Sequence, residues 1–190
     1  TLFIGASVGS AVGPMDGRTV ELLMRSADLA LYRSKEDGGS THHSYQHKLH
    51  ANAEEKRVLE FELRNALEGN QFHLEYQPVV EANGEHGITG FEALLRWNNP
   101  KFGLVSPAKF IPVAEETGMI VEIGEWVLHQ AVEQNRRWQA MGFPAVPVSV
   151  NLSPRQFRQK NLIDTIRDIL IQTGQPAEML ELEITESTLM

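Results

Sequence analysis

The sequence predicts an α/β fold, a partial TIM-like (β/α) barrel, and three observations predict it. From Ile88 onward, strand and helix patterns alternate with short joints, the succession of βαβ units and a parallel sheet. Three strand candidates end in acid or amide side chains, at Glu92, Asn151 and Glu183, where strands of an α/β barrel present functional groups. The chain has 190 residues, short of the roughly 250 typical of a closed eight-stranded barrel, so the barrel is expected to be partial.

The elements follow in order. Leu2 to Val12 reads as a small-residue strand, Gly13 to Gly17 as a turn, and Thr19 to Glu36 as a helix. Thr19 caps that helix and Glu21 in its first turn favours the helix dipole. Leu22, Leu23, Ala27, Ala30 and Leu31 give it an apolar stripe, and Asp37-Gly38-Gly39-Ser40 ends it. One strand and one helix cannot bury a core alone, so residues 1–48 read as the end of a domain that starts earlier. A charged helix over Asn52 to Glu68 carries Leu59, Leu63, Ala66 and Leu67 on one face, and residues 49–70 read as a helical linker.

Residues 71–190 form the second domain. Phe72 to Glu81 and Ile88 to Trp97 are strands, and the Asn83-Gly84 turn predicts that they pair antiparallel. Pro107 to Glu116 and Glu122 to Met141 are helices, the second stopped by Gly142-Phe143-Pro144. A strand at Val146 to Leu152, a helix at Ile163 to Thr173 with Gly174 as its stop, and a strand at Leu180 to Thr185 complete the succession. Right-handed crossovers then lay these strands side by side and parallel.

Composition narrows the function. There are no cysteines, which removes disulfides and thiolate metal sites and fits a cytoplasmic segment, with any membrane anchor lying upstream. No apolar run reaches the roughly 20 residues that span a bilayer, so no membrane contact is expected from this segment. The net charge of −8 is carried by residues 51–190, with 12 basic and 20 acidic side chains against five of each in residues 1–50. Nucleic acid needs a basic footprint, so it is not an expected partner. A small anion held locally remains compatible.

The run Gly90 to Trp97 carries the chemistry. Alternation along a strand puts Glu92, Leu94 and Arg96 on one face and Phe91, Ala93 and Leu95 on the other. A carboxylate and a guanidinium on a covered face need charged partners. A metal ion for Glu92 and a phosphate for Arg96 meet both demands. A solvated edge strand, an ion pair for Arg96 with a neighbouring carboxylate, and a capping role for Asn151 are the alternatives. His42, His43, His47 and His50 cluster loosely, but their spacing is irregular and no carboxylate or cysteine completes a zinc set. Trp97, Trp126 and Trp138 fall in helical or strand periodicity and are expected in the core.

Six ordered motifs carry a resemblance: Phe72 to Pro78, Phe91 to Trp97, Phe110 to Gly118, Ile123 to Leu128, Val150 to Ser153, and Glu181 to Ser187. Together they resemble the EAL family of cyclic-di-GMP phosphodiesterases, from Phe72 to Met190. Upstream, Ile4 to Gly9, Asp16-Gly17 and Ala27 to Lys35 resemble the end of a GGDEF (diguanylate cyclase) domain. The motif that names that family is absent, and Gly38-Gly39-Ser40 departs from its usual continuation.

The resemblance implies hydrolysis of cyclic-di-GMP to linear pGpG with Mg²⁺ or Mn²⁺. It implies Glu92, Asn151 and Glu183 as metal ligands, Glu92 and Glu183 as catalytic, and Gln77, Leu94 and Arg96 as substrate-binding. It further implies that Glu186 steadies a loop beside the site and that the complete domain forms a homodimer. Oxygen ligands on neighbouring strand ends suit a hard divalent cation. Glu181 shares a face with Glu183 and is not in the ligand set. The family's paired aspartates and catalytic lysine follow later strands than this sequence contains, so the fragment alone is expected to be inactive. A degenerate domain that binds cyclic-di-GMP as a receptor is the second reading. A glycosidase is the third, which Arg96 and Asn151 beside the acids fit less well.

Overall fold

The structure is a computed structural model that describes residues 5–45, 47–82 and 87–184, with the backbone alone over 47–54. The chain divides into two compact units, Thr1–Leu59 and Glu60–Met190.

In the first unit, β1 (Val8–Ser10) pairs in parallel with β2 (His42–Ser44), and α1 (Val20–Glu36) crosses between them. The first strand is thus shorter than the sequence pattern predicts. Thr19 caps α1, its Oγ1 accepting from the Leu22 amide at 3.2 Å. The helix lies so close to β1 that a Cβ on Gly9 would stand 2.2 Å from the Ala27 carbonyl oxygen. That proximity explains a correction to the expected stripe. Leu22 is exposed, whereas Ser26, Ala30 and Ser34 are buried. Small residues face the strands, and the serines satisfy their hydroxyls on backbone, Ser26 Oγ donating to the Asp16 carbonyl at 2.9 Å. His42 and His43 of the loose histidine cluster stand on β2; His43 meets Asp37 at 3.0 Å and His42 meets the Ser10 hydroxyl at 2.9 Å. Helix α2 (His47–Leu63) starts and stops five residues before its predicted bounds, and turns lead on to Asn70.

The second unit is a mixed sheet with α3 and α4 packed against it. β3 (Phe72–Val80), β4 (Ile88–Asn99), β6 (Val148–Leu152) and β7 (Leu180–Ile184) lie in that order, and β5 (Gly103–Val105) pairs with the end of β4. β3 and β4 are antiparallel, while β4, β6 and β7 run parallel, as the βαβ reading predicts. The Asn83-Gly84 turn lies outside the described residues. β5 was not foreseen, because three residues between glycine and proline signals are too few for periodicity to register.

The crossovers are α3 (Pro107–Thr117) with α4 (Ile120–Ala140), then α5 (Pro154–Phe157) with α6 (Leu162–Thr173). The core sits between the sheet and α3 and α4. Phe72, Trp97 and Phe110 meet with ring centroids 5.4–6.0 Å apart, and Trp126 adds a fourth ring 6.1 Å from Phe72. Trp138 closes the other end against Tyr76 at 4.7 Å and Phe91 at 4.9 Å. Such tilted and edge-on pairs each add about 0.5–1.5 kcal/mol beyond the area they bury. All three tryptophans are therefore packing residues.

Two polar devices set the strand ends. Asn135, buried on α4, donates from Nδ2 to the Val146 carbonyl at 3.1 Å and the Met179 carbonyl at 3.3 Å, tying together the entries to β6 and β7. Glu62 at the end of α2 accepts from Lys101 and from Asn99 Nδ2, and Asn99 Oδ1 in turn accepts the amides of Lys101 and Phe102. The Lys101 hydrogen bond holds the Glu62 carboxyl below the usual carboxylate range, against the upward push of burial. Among the described residues, no helix is long and apolar enough to cross a membrane.

Candidate active site

Register builds the site. Gln77 on β3 pairs with Glu92 on β4, Glu92 with Ser149 on β6, and Asn151 on β6 with Glu183 on β7. Side chains of laterally paired residues share a face, so Gln77, Glu92, Asn151 and Glu183 stand together on the face opposite the aromatic core. Strand alternation adds Glu75, Leu94 and Arg96 to the same face. Glu92 is half-buried, and Gln77, Asn151 and Glu183 are exposed.

Two contacts define the electrostatics. Asn151 Nδ2 donates to Glu92 Oε1 at 2.8 Å, bridging β4 and β6. Arg96 Nε donates to Glu75 Oε2 at 2.7 Å and its Nη1 to the Leu95 carbonyl at 3.1 Å. Arg96 thus has the carboxylate partner that the sequence left as an alternative. Glu75 itself was missed, although its position two residues before Gln77 was a readable signal. Glu181 shares the face with Glu183, opposite Ser149. Glu186 lies outside the described residues.

A cavity of about 320 Å³ opens beside these groups. Its origin is topological. β6 pairs with β4 only at Phe91–Ala93, and β5 only at Trp97–Asn99, so no ladder joins this edge of β4 at Leu94–Arg96. Leu94, Arg96 and Asn151 line the opening, with Ile111, Glu115 and Ile123 from α3 and α4 below. Burial pushes the Glu115 carboxyl above its ordinary range. The far wall is fixed by a capping box in which the Ser153 hydroxyl accepts from the Gln156 amide, and the Gln156 carboxamide accepts from the Ser153 amide. Gln156 lies against α4 where Gly124 leaves room; a Cβ there would stand 1.8 Å from Nε2. Arg155 donates to the Glu115 and Glu116 carbonyls at 2.6 and 3.1 Å, meeting the negative end of α3.

The donor set has the chemistry for a hard divalent cation. Glu92 and Asn151 touch and Glu183 stands in register beside Asn151 on the same face, an oxygen-bearing set without sulfur, and rotating the Asn151 amide turns Oδ1 toward Glu92 in place of Nδ2. Among the described residues there is no cluster of three or more histidine, cysteine or acidic side chains arranged to hold a metal.

Comparison with known proteins identifies the family. The EAL domain family matches residues 60–190, and the chain belongs to that family. The chain is 45% identical over 188 residues, 98% of its length, to the bifunctional diguanylate cyclase/cyclic di-GMP phosphodiesterase MucR of Pseudomonas aeruginosa, covering 27% of that protein. It is 39% identical over 191 residues to the cyclic di-GMP phosphodiesterase NbdA of the same organism, covering 24% of it. Among solved structures, the MucR phosphodiesterase in complex with c-di-GMP superposes with a TM-score of 0.66 at 46% identity, over 70% of this chain and 53% of that one. The chain therefore spans about a quarter of these curated relatives and about half of the solved domain.

Proposed function

We propose that the protein hydrolyses cyclic-di-GMP to linear pGpG, water adding to one phosphodiester phosphorus as its bond to the ribose oxygen breaks. The observation that carries this reading is the Asn151–Glu92 contact across β4 and β6, with Glu183 opposite Asn151 in register. Its relatives MucR and NbdA bear phosphodiesterase names, which supports the same chemistry.

Glu92, Asn151 and Glu183 would hold Mg²⁺ or Mn²⁺, and Glu92 and Glu183 would be catalytic through that contact. When bound, the cation offsets phosphate charge and acidifies water. Arg96 leaves Glu75 to grip a phosphate oxygen with its fixed fork of donors. Gln77 hydrogen-bonds the substrate, Leu94 lines its pocket, and Glu186 steadies a neighbouring loop. The family's further site residues follow later strands, so activity belongs to the full protein, in which the EAL domain pairs as a homodimer in the cytoplasm. Residues 1–48 are read as the end of a GGDEF domain, residues 49–70 as a helical linker and residues 71–190 as EAL domain.

The test is cyclic-di-GMP turnover by the protein in its full reading frame with Mg²⁺ or Mn²⁺, beside Glu92→Ala. The expected result is metal-dependent pGpG that falls at least about a hundredfold in the variant, as for loss of a group acting in the transition state. Nucleotide that binds without being hydrolysed makes the domain a receptor instead.

A further inference from the structure

Ser149 is the anomaly of the site face. It is 4% exposed, and its Oγ has no hydrogen-bond partner among the described residues. Buried hydroxyls are ordinarily satisfied, and one left unpaired costs stability. The position is also specific. Ser149 pairs in register with Glu92, on a strand about 4.8 Å away, and lies two residues before Asn151 on the same face of β6. Alanine would fill this floor as well by volume and remove the penalty.

The local hydrogen bonding explains what the hydroxyl is for. Glu92 Oε1 accepts a side-chain hydrogen bond from Asn151 Nδ2. Asn151 can offer a cation only Oδ1, since its amide nitrogen has no free lone pair. Turning Oδ1 toward a shared cation therefore withdraws the Nδ2 donor from Glu92. The carboxylate then needs another donor to fix its orientation, and Ser149 is the neighbouring one with none of its capacity in use.

We infer that Ser149 is a positioning residue, whose buried hydroxyl takes over as hydrogen-bond donor to Glu92 when Asn151 turns its oxygen to the metal. The role rests on the metal-site reading proposed above. It acts through Glu92 and touches neither substrate nor the reacting atoms. Donors behind a ligating carboxylate set its direction, and losing one commonly lowers metal affinity about tenfold or more.

The experiment uses the full-length protein and Mn²⁺ alone, with affinity read by electron paramagnetic resonance and folding by thermal midpoint. Ser149→Ala is expected to bind Mn²⁺ about tenfold more weakly while its midpoint stays level or rises. Ser149→Thr, which keeps the hydroxyl on a β-branched side chain suited to a strand, is expected to recover most of the affinity. A Ser149→Ala protein that binds Mn²⁺ like wild type, while Glu92→Ala does not, overturns this role and leaves the metal site standing. A wild type that binds no Mn²⁺ overturns the metal site and this role with it. Weaker binding accompanied by a matching fall in midpoint in both Ser149 variants overturns the role in favour of simple packing.

Discussion

Arg96 is where the competition at the site is sharpest. Its guanidinium is paired with Glu75, a carboxylate whose side chain is 55% exposed. Exposed ion pairs contribute about 0–1 kcal/mol, so the pair is a weak hold that a phosphate dianion or diester can displace. Glu75→Gln is therefore expected to tighten cyclic-di-GMP binding by roughly two- to fivefold, the range that such a pair energy allows. Calorimetric titration of the variant against wild type reads this, and unchanged affinity would mean that Arg96 does not leave Glu75 for the substrate. Alternation on β4 made the acid and the base legible in sequence. Their actual partners were not legible, because Glu75 reaches Arg96 from a different strand, diagonal to the pairing of Arg96 with His73.

At the scale of elements, the polar knot at the end of α2 ties that helix to the β4–β5 turn. Glu62, Lys101 and Asn99 come from two segments 37 to 39 residues apart, and Asn99 also holds the turn's own amides. The sign of its pH dependence follows from the lowered Glu62 carboxyl. A group depressed in the folded state contributes stability above its ordinary pKa and loses it as pH falls through the folded value. Thermal midpoints are thus expected to fall on acidification below the usual glutamate range more steeply in wild type than in Glu62→Gln. At neutral pH the variant is expected to melt lower. Equal slopes would remove Glu62 from the account of acid stability.

The same scale shows how far periodicity reaches. The seven elements predicted in the second unit, β3, β4, α3, α4, β6, α6 and β7, lie where the apolar patterns place them, within about two residues, the ordinary uncertainty of helix and strand ends. α2 departs because Gly69-Asn70, read from sequence as its stop, ends a stretch of turns at 64–70 and not the helix itself. β2 and β5 were unreadable because three residues exist as strands only through the partner beside them.

For the whole molecule, charge is the property that sequence reads most directly. A net charge of −8, concentrated after residue 50, gives no basic footprint for a phosphate backbone. Duplex DNA is expected to show no retardation by the protein at low salt, while cyclic-di-GMP still binds through the local arginine. An electrophoretic shift that fades with added salt would contradict that expectation. The chain boundary between the two compact units falls within α2, between Leu59 and Glu60, and the EAL family match begins at residue 60.

What the sequence determined by itself is the run of strands and helices, the face each strand would present, and the family that its motifs carry. Those are consequences of local alternation, caps and ordered residue patterns, which need no knowledge of neighbours. Only the tertiary structure decided that Asn151 would reach Glu92, that Glu75 would hold Arg96, and that Ser149 would be buried without a partner. Those facts depend on lateral register and on the opening between β4 and β6, and register is set by pairing between strands far apart in the chain.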